Sequence, residues 1–190
     1  SKIEAQKIEI LQDEFSLEDV MQNLSDMFSY QAYEKGLDYI FTVDPKIPTI
    51  LIGDQVRFTQ VLTNLIGNAI KFTQEGHVNV HLELKDLDDE SVSIECLVQD
   101  TGIGISEEKQ KKLFRAFEQG DNSTTKKFGG TGLGLMISKR LIELMGSEIW
   151  LNSELNKGSA LGFTLKLQYL KDELFNHKKS HILKRLAFYL

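Results

Sequence analysis

Residues 77–98 constrain this chain's fold more than any other part, because they alternate apolar and polar side chains twice over. Val78, Val80, Leu82 and Leu84 stand against His77, Asn79, His81 and Glu83; Val92, Ile94, Cys96 and Val98 then stand against Ser91, Ser93, Glu95 and Gln99. Successive strand side chains point to opposite faces, so a period of two means one apolar and one wet face. Joined by the acidic stretch "KDLDDE", the two strands predict an antiparallel hairpin with one side to bury. The rest of the chain has to cover that side.

Helices are available for the task. Leu17, Val20, Met21, Leu24 and Phe28 recur at spacings of three and four, with Ser16 as an N-cap, Asp19 three residues on, and Gly36 as the stop. A second helix starts near Asp54 and carries Phe58, Val61, Leu62, Leu65 and Ala69 on one side. A third is expected from about Thr131 to Met145. Further strands are expected at "LDYIFTVDP", "SEIWLNS" and "ALGFTLKLQ", the last two joined by a turn at "ELNKGS". Helices and strands mix without strict alternation. That order favours an α+β fold, a mainly antiparallel sheet covered on one face by helices, over a doubly wound parallel sheet.

The 190 residues, 41% hydrophobic with two prolines, suit one compact domain with some extra at the ends. A net charge of −6 argues against a nucleic-acid or anionic-membrane surface, which needs an excess of Lys and Arg. Any phosphate site must then be local. The lone Cys96 excludes an internal disulfide and a cysteine-based zinc site, and its place in an apolar alternation reads as core. No apolar run approaches the roughly 20 residues that span a bilayer, and "SKIEAQKIEI" lacks the apolar stretch of a signal peptide. A cytoplasmic fragment is expected, with a parent that is free to be membrane-anchored.

Three constellations carry chemistry. In "NLIGNAIK", Asn64, Asn68 and Lys71 fall within about 60° of one helix face, opposite Leu62, Leu65 and Ala69. Two amides and an ammonium on one stripe suit a divalent cation and phosphate oxygens. A plain solvated face looks the same, since Arg57 and Gln60 extend it. Next, "DTGIG" places Asp100 at a strand end before Gly102 and Gly104. A carboxylate there can accept a hydrogen bond from an exocyclic amine, while glycines admit a ligand close to the backbone; an ordinary turn anchored by Ile103 and Ile105 is equally compatible. Finally, "KFGGTGLGLMISKR" runs glycines into a helix whose first-turn amides favour anions. It matches neither the dinucleotide fingerprint, because Leu135 stands where the last glycine belongs, nor a P-loop. A hinge between a polar loop and a core helix is the other reading.

In this order and spacing the three, together with "LFRAFEQ", resemble the catalytic, ATP-binding domain of histidine protein kinases of the hybrid type: "NLIGNAIKFT" is similar to that family's N box, "DTGIGI" to its G1 box, "LFRAFEQ" to its F box and "GGTGLGL" to its G2 box. The likeness spans about residues 4–167. It implies a two-layer α/β sandwich of the Bergerat type, shared with DNA gyrase, MutL and a heat-shock chaperone class, with ATP and Mg²⁺ as cofactors. By resemblance, Asp100 receives the adenine amine beside Gly102 and Gly104, and Asn68 is the metal ligand. Asn64 and Lys71 position the triphosphate as the catalytic pair, and Phe72 borders the nucleotide. Thr131, Gly132, Leu133 and Gly134 approach the phosphates from a lid that Phe114 and Phe117 pin down.

The resemblance also orders the chain. Residues 1–6 resemble the end of a dimerisation and phosphotransfer helix, 7–169 the catalytic domain, and 170–190 a linker or the start of a receiver-like domain. Where relatives that hydrolyse ATP have a glutamate to activate water, this chain has Asn64, too weak a base for that. Transfer to a histidine is therefore expected, rather than hydrolysis of the gyrase, MutL or chaperone kind or a catalytically inactive scaffold. His77, His81, His177 and His181 all lack the acidic residue that follows the family's phosphoacceptor. The implied partners are a histidine-bearing dimerisation domain, through which the parent forms a homodimer, and a response-regulator receiver, with no nucleic acid.

Overall fold

The computed structural model describes residues 9–119 and 133–171, leaving aside the side chains of 114–119 and 133. In chain order it holds β1 (Asp13–Ser16), α1 (Leu17–Glu34), β2 (Asp38–Val43), β3 (Ile50–Gly53), α2 (Gln55–Phe72) and β4 (His77–Leu87). β5 (Ser91–Asp100), α3 (Glu107–Gln119), α4 (Leu133–Leu144), β6 (Ile149–Glu154) and β7 (Gly158–Tyr169) follow.

Both long helices begin where a side-chain oxygen takes up a free first-turn amide. Ser16 Oγ accepts from the Asp19 amide at 3.1 Å. Asp54, 5% exposed, accepts from Arg57 N through one oxygen and from Leu11 N through the other, both at 3.0 Å. The end of α2 is held from outside its own sequence. Lys35, just past α1, donates its Nζ to the carbonyls of Ile70 at 2.7 Å and of Lys71 and Thr73 at 3.2 Å. An ammonium on the last carbonyls satisfies acceptors the helix leaves open and meets the negative end of its dipole.

The strands form one seven-stranded sheet in the order β1-β3-β7-β5-β4-β2, with β6 also paired to β7. All pairings are antiparallel except β2 with β4. A parallel pair needs a crossover, and β3 and α2 fill it. The helices pack on one face, over Val78, Val80, Leu82, Ile94, Cys96, Phe163 and Leu165. On α2 the buried stripe is Phe58, Val61, Leu62, Leu65, Ile66, Ala69 and Ile70. Cys96 is 1% exposed, a core residue, and burial pushes its thiol far above the usual range.

The structure adds three elements that the sequence pattern misses. β1 and β3 are four residues each, too short to show a period, and exist through their pairing with each other and of β3 with β7. The first turns of α3 are polar and paired by charge, Lys112 with Glu108, so no apolar stripe marks them. The expected hairpin turn is also shorter than "KDLDDE". A register shift between Leu84 and Asp86 carries β4 on to Leu87. The Asp88 carboxylate then accepts from Glu90 N, Ser91 N and Ser91 Oγ at 2.6–2.8 Å. Those donors, the Glu90 amide foremost, hold Asp88 down at about 2.

Candidate functional site

The site is built along one edge of α2. Asn64 and Asn68 are half-buried, while Lys71 and Phe72 are exposed. Lys71 Nζ sits 5.2 Å from the Phe72 ring centroid, close enough for a cation–π contact. The Asn68 side chain forms no hydrogen bond among the described residues. Asn64 differs: its Nδ2 donates to Ser138 Oγ on α4 at 2.9 Å, and Ser138 is 1% exposed.

Asp100 ends β5, between Val78 of β4 and Ser159 of β7, and is 7% exposed. Its carboxylate accepts from Gly102 N at 2.8 Å. Burial raises its pKa above the ordinary carboxylate value, and the Gly102 and Ser159 amides pull it part of the way back. The result is a carboxylate held rigidly in a dry setting, suited to one directed hydrogen bond from a ligand.

The loop after Asp100 is fastened to the C-terminus of α2. Ile103 N donates to Phe72 O at 3.2 Å, and Thr101 N to His77 O at 3.2 Å. Gly102 lies so close that a Cβ there would stand 2.3 Å from Phe72 O. Gly104 has φ +62 and would place a Cβ 1.9 Å from Glu154 O. Both positions therefore exclude any side chain. From the other side Ile105 N donates to Ser153 Oγ at 2.8 Å, and Gln110 Nε2 to Ile105 O and Ser153 O at 2.7 and 2.8 Å.

Residues far apart in sequence thus meet: Asn64, Asn68, Lys71 and Phe72 on α2, Asp100, Gly102 and Gly104 beside its end, and Gly134 on α4. A Cβ at Gly134 would come 2.2 Å from Asn64 Oδ1, so glycine there is what lets α4 approach α2. Thr131 and Gly132, the lid between α3 and α4, and residues 1–6 lie outside the described residues, as do the side chains of Leu133, Phe114 and Phe117. Sequence reasoning missed Lys35, Ser138 and Ser153. Ser138 is one turn past Gly134, a spacing that would have marked it; Lys35 and Ser153 carry no local signal, because their partners are remote. Among the described residues no group of three or more His, Cys, Asp or Glu gathers to hold a metal, and no helix is long and apolar enough to cross a membrane.

The family profile described as histidine kinase-, DNA gyrase B- and HSP90-like ATPase matches residues 53–169. The signal transduction histidine-protein kinase BarA of Escherichia coli (strain K12) is 37% identical over 190 residues, 99% of this chain and 21% of that protein. Hybrid signal transduction histidine kinase B of Dictyostelium discoideum is 42% identical over 165 residues, 87% of this chain and 8% of that protein. This chain therefore spans about a fifth or less of the length of these relatives. Among solved structures, full-length ShkA in complex with AMPPNP superposes with a TM-score of 0.68 at 30% identity, over 88% of this chain and 33% of that one.

Proposed function

From the premise that this chain belongs to the histidine kinase-, DNA gyrase B- and HSP90-like ATPase family, as the ATP-binding catalytic domain of a sensor histidine kinase, we propose that it binds ATP with Mg²⁺ and passes the γ-phosphoryl group to a histidine on a dimerisation domain. The observation that carries the reading is Asp100: a nearly buried carboxylate, fixed by the Gly102 amide, against a loop where only glycine fits.

The adenine amine donates to Asp100, with Gly102 and Gly104 beside the base and Phe72 at its border. A base presenting a carbonyl there would leave the carboxylate unpaired, at about 1–3 kcal/mol or more, enough to prefer adenine over guanine. Lys71 and Asn64 lie toward the phosphates, and Thr131, Gly132, Leu133 and Gly134 approach from the lid. Asn68 fits the metal: Mg²⁺ keeps most of its waters and binds largely through nucleotide phosphates, so one amide oxygen suffices. Bound there, Mg²⁺ supplies neutralisation of phosphate charge. In transfer the imidazole nitrogen of the acceptor histidine forms a bond to the γ-phosphorus as the bond to the β-phosphate oxygen breaks, and ADP leaves. Nothing in Asn64, Asn68 or Lys71 has to remove a proton. Positioning and charge stabilisation are the protein's contribution.

The relatives' names support the wider setting. A hybrid kinase passes its phosphoryl group to a receiver, so we assign residues 1–6 to the end of the phosphoacceptor helix and 170–190 to a linker or the start of a receiver-like domain. The parent is then a homodimer through the helices of that dimerisation domain.

The test is labelled ATP with this chain and a separately made histidine-bearing dimerisation domain. Acid-labile phosphohistidine on that domain, with little phosphate released by the chain alone, is expected; brisk release without label overturns the reading in favour of an ATPase. Asn68→Ala should erase the Mg²⁺ dependence of nucleotide binding, and an unchanged metal titration rules Asn68 out as ligand.

A further inference from the structure

Asn64 does not present a free amide to the site. Its Nδ2 donates to Ser138 Oγ at 2.9 Å, and its Oδ1 lies against Gly134, where an added Cβ would come within 2.2 Å. Gly134 and Ser138 are one turn apart on the same face of α4, so two consecutive turns of that helix grip both ends of one amide. Ser138 is 1% exposed and Asn64 is half-buried. A buried hydroxyl needs a partner, and Asn64 provides it. α2 and α4 are thus joined at a polar point, while both helices also feed the apolar core, α2 with Leu62 and Leu65 and α4 with Leu141 and Ile142.

We propose that Ser138 is a positioning residue for phosphoryl transfer, acting through Asn64. By holding Nδ2 it fixes which way the amide points, leaving one N–H and one side of Oδ1 for the phosphate end of the nucleotide. The same bond sets the first turns of α4 against α2, and so the direction of the amides that open this helix toward an anion. Asn64 and the glycine-led helix then act as a unit, not as two independent phosphate contacts. This rests on the ATP reading above, and it adds a residue that the glycine and asparagine motifs leave out.

The experiment uses this chain with AMPPNP and ADP as ligands, each with Mg²⁺. Loss of the bond should lower the AMPPNP affinity about five- to tenfold and the ADP affinity far less, as expected for one hydrogen bond whose buried partner is left open. Ser138→Ala should show this, Ser138→Thr should restore it, and Asn64→Ala combined with Ser138→Ala should be no worse than Asn64→Ala alone. The Asn64 side-chain amide resonances should shift in Ser138→Ala and return in Ser138→Thr, a signature that a general loss of stability does not give. Additive effects of the two substitutions overturn the proposal, as does a Ser138→Ala chain that keeps the parent's AMPPNP preference. So does failure of the threonine to rescue. If the parent chain binds neither nucleotide, the ATP reading fails first and takes this role with it, an outcome distinct from tight binding that Ser138→Ala leaves unchanged.

Discussion

Asp100 is held at a cost that the proposed bond from adenine offsets. Its carboxyl pKa is raised by burial, so the folded domain favours the protonated form more than the unfolded chain does. That preference contributes stability below the ordinary carboxylate pKa and is lost as pH rises through the folded value. At neutral pH the ionised group is a burden on the apo domain. Asp100→Asn should therefore make the empty domain more stable than the parent at pH 7, with the difference shrinking below the ordinary carboxylate range; parallel thermal melts against pH read it. Asp88, held low by its turn, titrates the opposite way but equally in both chains, and cancels. Nucleotide affinity should fall about 10- to 100-fold, the loss expected for a charge-assisted bond, and unchanged affinity by calorimetry would remove Asp100 from the adenine assignment. At this scale much was readable beforehand. Asp100, Gly102 and Gly104 show in the sequence as one compact carboxylate–glycine motif and the α2 stripe as a helical period, although the contacts of the two glycines are remote, Phe72 O and Glu154 O. Lys35 belongs to no motif and finds its partners more than thirty residues away, and Ser138 is marked only by its spacing from Gly134, with its partner Asn64 as remote.

Helix α2 joins the core to the site, and its C-terminus is where the two meet. Lys35 holds three of its last carbonyls, and Phe72 O takes the Ile103 amide. The end of α1 therefore reaches the loop after Asp100 through a single ammonium. Lys35→Met keeps the chain length and removes the donors; it should cost about 1–2 kcal/mol in urea unfolding and weaken nucleotide binding, since Lys71 and Phe72 lose their anchor. A midpoint equal to the parent's would show the cap to be idle. The helices α1 and α2 were legible from their stripes, with Ser16 as a cap and a start near Asp54; that Asp54 itself caps α2 is a finding of the structure. β1, β3 and the polar start of α3 were not, since a strand of four residues is defined by what it pairs with, and a helix held by charge pairs has no apolar period.

Across the whole molecule, β7 holds the sheet together. It pairs with β5 from Ser159 to Gln168 on one edge, and with β6 and then β3 on the other. A chain ending at residue 157 should lose the cooperative unfolding transition that the parent shows; Trp150, the lone tryptophan, whose indole covers Gly162, reports it by fluorescence. The alternating hairpin of β4 and β5 foretold a one-sided sheet and its class. The strand order was not readable, because it depends on contacts between the two ends of the chain. This arrangement also sets a timetable for the ribosome. The central strand is the last of the described strands to be made, so until Gly158–Tyr169 emerges the nascent sheet has β4 and β5 as a hairpin with an open edge and β1 and β3 as a detached ribbon. Open edges invite pairing with other chains, which makes the interval between the emergence of β5 and that of β7 the one in which this sheet is most exposed to misassembly.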